Sequence, residues 1–228
     1  MAVFLLVPGA WHGAWCWAAL TPLLEAVGHQ VIAPDLAPVP AGANPLPLWA
    51  RQIADLALAA SAPVLLVGHS RGGLVISEAG AIAPQAVRKL IYLTGFLLPP
   101  GGSMQSAIAM QEAGGAPDYL RPARGRCLAV APEAVGSRFY NLAPPEVAAG
   151  AAARLQPEPM GSFSAPLTAM PDLPRAYIEC TQDRVLPLAL QRAMQAALPC
   201  ETVLTLQGDH SPFLSMPGAL AEALLALP

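Results

Sequence analysis

Six short apolar runs punctuate the chain: VFLLV (3–7), QVIAP (30–34), PVLLVG (63–68), KLIYL (89–93), AYIEC (176–180) and TVLTL (202–206). Their length and aliphatic, β-branched content suit strands buried on both faces. Segments of helical length, at 15–27, 48–60, 73–83, 187–197 and 213–226, lie between and after them. Strands alternating with helices predict an α/β chain, with a mainly parallel six-stranded sheet in right-handed crossover units and helices on both faces. The 228 residues suffice for one sizeable core and contain no internal repeat.

The rhythm fails between the fourth and fifth runs. From Pro99 to Pro174 the chain is rich in Pro, Gly, Ala and Met, with weak helical periods at 104–112 and 145–155. So long a structureless loop is foreign to a compact domain, and the segment is expected to be a small, mostly helical insertion. The expected division is a core of 1–98 and 175–228 with a cap of 99–174. Such a cap would sit over the carboxyl ends of the strands, where open α/β sheets take ligands.

Charged residues make up 12% of the chain, against about 25% in ordinary domains, and the formal charge is −3. That leaves no basic field for nucleic acid or an anionic membrane, and predicts a small, rather apolar ligand. The apolar opening MAVFLLVPGAWHGAW lacks a basic flank and is broken by Pro8, Gly9, His12 and Gly13, so it reads as a strand and its turn. Cys16, Cys127, Cys180 and Cys200 are scattered without a CxxC pair, which suits reduced thiols in the cytoplasm better than a disulfide frame or a metal site. A soluble protein is expected, and the low charge leaves apolar surface that a second copy could cover in a homodimer.

Gly68-His69-Ser70-Arg71-Gly72 matches G-x-S-x-G after a buried strand and before a helix. In that setting the glycines permit a turn too tight for a Cβ, and the serine stands at its tip as a candidate nucleophile. A serine hydroxyl needs a base to take its proton and an acid to orient the base. TLQGDHSPF places His210 after the last run, and YIECTQDRVLPL places Asp183 after the fifth, with Asp209 as the competing carboxylate that would instead fix the loop. The order Ser, Asp, His is that of α/β-hydrolases. Two backbone N–H groups should hold the developing oxyanion, one from Arg71 and the other from Ala10 in the loop after the first run.

These motifs resemble the α/β-hydrolases, and within them the plant methylesterase and hydroxynitrile lyase group with its bacterial relatives. The resemblance runs through GAWHGAWCW, LLEAVGHQVIAPDL, LVGHSRGG, YIECTQDRVLPLALQRAM and GDHSPFLSMP, and is weakest in the cap. It implies the α/β-hydrolase fold with a helical cap, no metal and no cofactor, a triad of Ser70, Asp183 and His210, and oxyanion donors at Ala10 and Arg71. Two departures stand out: Pro8 occupies a place where many relatives have His, and Arg71 one where plant members carry a smaller uncharged residue. The lyases of the group carry Lys directly after the histidine and tend to have Glu before the serine, whereas this chain has Ser211 and His69.

A cation in the first turn of a helix opposes the macrodipole by ~0.3–1 kcal/mol. Arg71 is therefore expected to meet a carboxylate, either of the protein or of the substrate, and to point along the helix rather than into the pocket. Trp11, His12, Met104, Phe139, Tyr140 and Met160 are the candidates for lining an apolar pocket, with Met110 beside them. The expected function is cofactor-free hydrolysis of small, largely apolar carboxylic esters through an acyl-enzyme. The alternatives are carbon–carbon cleavage of the hydroxynitrile lyase kind and a binding protein that keeps a vestigial triad.

Overall fold

The computed structural model describes residues 1–110 and 117–227. Its strands, in chain order, are β1 (Val3–Val7), β2 (Gln30–Ile32), β3 (Val64–His69), β4 (Val87–Leu93), β5 (Leu120–Ala123), β6 (Cys127–Val130), β7 (Glu158–Pro159), β8 (Arg175–Cys180) and β9 (Thr202–Leu206). Six of them, the six apolar runs of the sequence, form one sheet in the order β2-β1-β3-β4-β8-β9, with every neighbouring pair parallel. The chain begins at β1, steps to β2 on one side and then crosses to β3 on the other. The crevice for a ligand is therefore expected between the ends of β1 and β3.

The helices are α1 (Thr21–Glu25), α2 (Leu46–Ala59), α3 (Gly72–Ile82), α4 (Met104–Ala109), α5 (Pro132–Phe139), α6 (Pro145–Ala152), α7 (Gly161–Ser164), α8 (Leu188–Ala197), α9 (Pro212–Ser215) and α10 (Pro217–Leu225). Side chains that alternate along a strand divide the core in two. Val3, Leu5 and Val7 join Leu66, Leu90 and Tyr92 against Trp49 and Ile53 of α2, Leu74 of α3 and Leu190 of α8. Phe4 and Leu6 join Leu65, Val67 and Ile91 against Trp17, Leu24 and the α10 residues Leu220 and Leu224. Because both faces are covered, the runs read as continuous rather than alternating.

Two expected helices are each divided. The segment 15–27 is a short 3-10 turn, Ala14–Trp17, followed by α1, and the segment 213–226 is α9 followed by α10. Pro22 and Pro217 explain this, since a proline lacks the N–H for a helix interior but is favoured in a first turn. Residues 111 and 112 of the expected helix 104–112 lie outside the described residues, and α4 covers its first six positions.

Between β4 and β8 the expected insertion is present with more helix than strand, but it is not all helical. Alongside α4, α5, α6 and α7 the segment holds a three-stranded antiparallel sheet, β5-β6-β7. Its strands are short, and Pro122 and Pro159 lie within them, so the sequence pattern hid them. The turn between β5 and β6 uses left-handed backbone at Gly125 (φ 73°) and Arg126 (φ 57°), as a tight hairpin loop requires.

Candidate active site

β3 ends at His69 and α3 begins at Gly72, so Ser70 lies at the turn between them with a left-handed backbone, φ 52°. Its carbonyl accepts from the Gly73 and Phe96 N–H groups, both at 3.0 Å, which holds the unfavourable conformation in place. A Cβ on Gly68 would fall 2.6 Å from the Gly72 carbonyl oxygen, so the glycine of the motif has a direct steric cause.

The loop after β9 brings His210 to Ser70, with Nε2 3.1 Å from Oγ. His210 Nδ1 lies 2.7 Å from Asp183 Oδ2, in the loop after β8. A carboxylate only accepts, so Nδ1 carries the proton and Nε2 is left to accept from the serine hydroxyl. Asp183 is held in turn: Thr94 donates its hydroxyl to Oδ2 at 2.5 Å, and the Val185 and Leu186 N–H groups donate to Oδ1 at 2.7 and 2.8 Å. Asp209 does not face the imidazole. It accepts from the Ser211 N–H, the Ser215 hydroxyl and the cap residue Leu142 N–H, and so fixes the loop.

Buried histidines surround this group. His69 donates Nε2–H to the His210 carbonyl at 2.7 Å, and burial next to His210 holds its pKa well below the ordinary histidine range. His12 donates Nδ1–H to the Ala10 carbonyl at 2.8 Å and accepts from the Tyr140 hydroxyl at 2.9 Å. Burial lowers its pKa to about 4, keeping it neutral.

The expected carboxylate partner of Arg71 is Glu158 in β7, with Arg71 Nε 3.1 Å from Glu158 Oε1 and both side chains buried. The angle of that contact is not one of a hydrogen bond, and Nη1 likewise has no hydrogen-bond partner among the described residues. Arg71 Nη2 donates to the Gly9 carbonyl at 2.8 Å, and the guanidinium lies 4.2 Å from the Trp49 ring. Arg71 thus folds back onto the loop after β1 instead of running along α3. It is absent from the described cavity lining, so that lining gives no support to a contact with a substrate carboxylate.

A cavity of about 400 Å³ opens on Ser70, and its walls include Ala10, Trp11, Phe96, Met104, Phe163 and Val185. Of the candidate pocket residues, Trp11 and Met104 line it. His12 and Tyr140 pair behind it, and Phe139 packs edge-on to the His210 ring at 5.5 Å. Met160 is 46% exposed and Met110 73%, because the turns that carry them face solvent, so neither is part of the described lining. Sequence reasoning missed Thr94, Phe163 and Glu158. Thr94 had one signal, as the first polar residue after an apolar run at the sheet's carboxyl edge, whereas nothing in the sequence marks out Glu158.

The fold and the serine–histidine–aspartate arrangement define the hydrolase class that forms covalent intermediates on serine. The model of the alpha/beta hydrolase family matches residues 4–223, and the chain belongs to that family. It is similar to a pyrethroid hydrolase of Sphingobium wenxiniae, with 34% identity covering 96% of this chain and 85% of that one. Methylesterase 7 of Arabidopsis thaliana is 30% identical, covering 98% and 95%. Among solved structures, a pyrethroid hydrolase from Sphingobium faniae superposes with a TM-score of 0.83 at 32% identity, covering 99% of this chain and 96% of that one.

Proposed function

We propose that this chain is a carboxylic ester hydrolase acting on small, largely apolar esters, with Ser70 as nucleophile, His210 as general base and acid, and Asp183 as the group that orients it. The observation that carries this reading is His210 bridging Ser70 and Asp183 beneath the cavity that opens on Ser70. Ser70 Oγ attacks the ester carbonyl while His210 Nε2 takes its proton, and the carbonyl oxygen becomes an anion facing the Ala10 and Arg71 backbone N–H groups. Collapse of that intermediate expels the alcohol, which receives the proton from His210. Water, deprotonated by the same imidazole, then releases the acid and restores the serine.

The relatives are named for hydrolysis of pyrethroids and of methyl esters, which supports ester hydrolysis here. The lyase alternative loses support because Ser211 is buried where the lyases carry lysine, and Arg71 is engaged by Gly9 and Glu158. The four free thiols fit a reducing compartment such as the cytoplasm, and among the described residues no helix is long and apolar enough to cross a membrane. A panel of methyl, short-chain nitrophenyl and pyrethroid-type esters, with mandelonitrile alongside, tests the proposal. Ester hydrolysis that disappears in Ser70→Ala is expected, with no cyanide release above the spontaneous rate. Stereoselective cyanide release without hydrolysis of any ester would reverse the assignment.

A further inference from the structure

The loop after β1 is gripped at three successive points. Arg71 Nη2 takes the Gly9 carbonyl, His12 Nδ1 takes the Ala10 carbonyl, and Glu158 Oε2 accepts the Trp11 N–H at 3.2 Å. The Gly9–Ala10 peptide is trans, so its carbonyl and its N–H point in opposite directions. With the carbonyl directed at the guanidinium, the Ala10 N–H is directed away from it. Ala10 and Ser70 line the same cavity, and among the described residues no acceptor takes the Ala10 N–H. The neighbouring Trp11 N–H is already held by Glu158, and Trp11 adopts φ 64°, so the loop turns there.

We propose that the Arg71 side chain, latched by Glu158 from the cap, is a positioning residue that fixes the Gly9–Ala10 peptide so that its N–H faces the reacting carbonyl. This rests on the reading of Ser70 as nucleophile. Arg71 then serves the oxyanion twice: its own backbone N–H is one donor, and its guanidinium sets the direction of the other. A cation on the peptide carbonyl also polarises that peptide and strengthens its N–H as a donor. Because Glu158 belongs to β7, the cap helps hold this geometry from outside the sheet. The single carboxylate joins Arg71 to the Trp11 N–H and therefore ties two parts of the loop to one strand.

The test compares the wild type with Arg71→Lys and with the double variant Arg71→Met/Glu158→Gln, which leaves no lone charge buried. Four quantities are read: kcat and KM on one ester, affinity for a trifluoromethyl ketone that forms a tetrahedral oxyanion, and affinity for the matching ether, which has no carbonyl. In the double variant kcat is expected to fall about 10- to 100-fold, short of the ~100- to 1,000-fold seen when an oxyanion donor is lost outright. Ketone affinity should fall with it, while KM and ether affinity stay put. The lysine variant, which lacks the planar fork, should show the same pattern with a smaller loss, and it decides the matter if the double variant fails to fold. Equal loss of ketone and ether affinity would reduce Arg71 to a packing role, and wild-type kcat in either folded variant would overturn the proposal. Turnover that survives in Ser70→Ala would instead remove the underlying nucleophile assignment.

Discussion

Asp183 offers one carboxylate oxygen to His210 and commits the other to the backbone of its own loop. Oδ2 lies 2.7 Å from the imidazole, and Oδ1 accepts from Val185 and Leu186. The acid is therefore fixed in orientation before any substrate arrives. Asp183→Asn, which removes the charge and disturbs the tautomer, is expected to lower kcat by ~100- to 10,000-fold. Asp209→Asn should leave kcat within a few-fold and instead cost about 1 kcal/mol of stability through its loop hydrogen bonds. Steady-state kinetics and denaturant unfolding of both variants check the ranking, and the reverse order would move the acid to Asp209.

Ser70 combines reactivity with strain. Ser70→Ala should abolish labelling by a fluorophosphonate and leave the fold intact. Because φ is 52° at this position, Ser70→Gly is expected to be more stable than Ser70→Ala by about 1 kcal/mol. Thermal or urea unfolding of the pair measures this, and equal stabilities would show that the turn carries no backbone strain.

His12 predicts a pH effect on stability. Its folded pKa is lowered to about 4, against roughly 6.5 in the unfolded chain. Between those values the unfolded state binds more protons, so acid favours unfolding. Stability should be complete above pH ~6.5 and decline on acidification, His12 costing about 3 kcal/mol by pH ~4. His69, also depressed by burial, adds to the loss with the same sign. Urea titrations across this window should show a shallower slope in His12→Gln, and an unchanged slope would place the acid sensitivity elsewhere.

Substrate preference should follow the cavity wall. Met104→Ala and Phe163→Ala are expected to change kcat/KM ratios between short and bulky esters by about 10-fold or more, since a methylene or two in a pocket is worth that much. Met160→Ala should leave the ratios unchanged because its side chain faces solvent. Phe139→Ala, which withdraws the ring packed on His210, should instead lower turnover on every ester alike. Kinetics across the ester panel separate the three behaviours.

The six sheet strands were legible because each carries a continuous apolar run, and helices on both faces require that. The elbow was legible because a strand, a glycine frame and a helix leave little freedom for Ser70. Asp183 and His210 followed from their places after β8 and β9. The small sheet of the cap was not legible, since β5 and β7 contain prolines and little periodicity, and tertiary packing decides their state. Arg71 showed that it needed a partner, but Glu158 is one of several acidic residues in the insertion. Only the fold brings β7 beside the loop after β1.

The chain leaves the sheet at β4 and re-enters at β8, and these strands are hydrogen-bonded neighbours, with Leu90 beside Arg175. To the sheet, the whole insertion is a single crossover from the carboxyl end of β4 to the amino end of β8, and any segment that spans those two ends satisfies the strand pairing. The active-site loop is less permissive. A transplanted cap that fits the strand ends but brings no acidic group to the position of Glu158 would leave the Arg71 guanidinium buried without a counter-charge and release the Trp11 N–H. Engineers exchanging caps to redirect specificity would then need to graft that carboxylate together with the new walls, or exchange Arg71 in the same step.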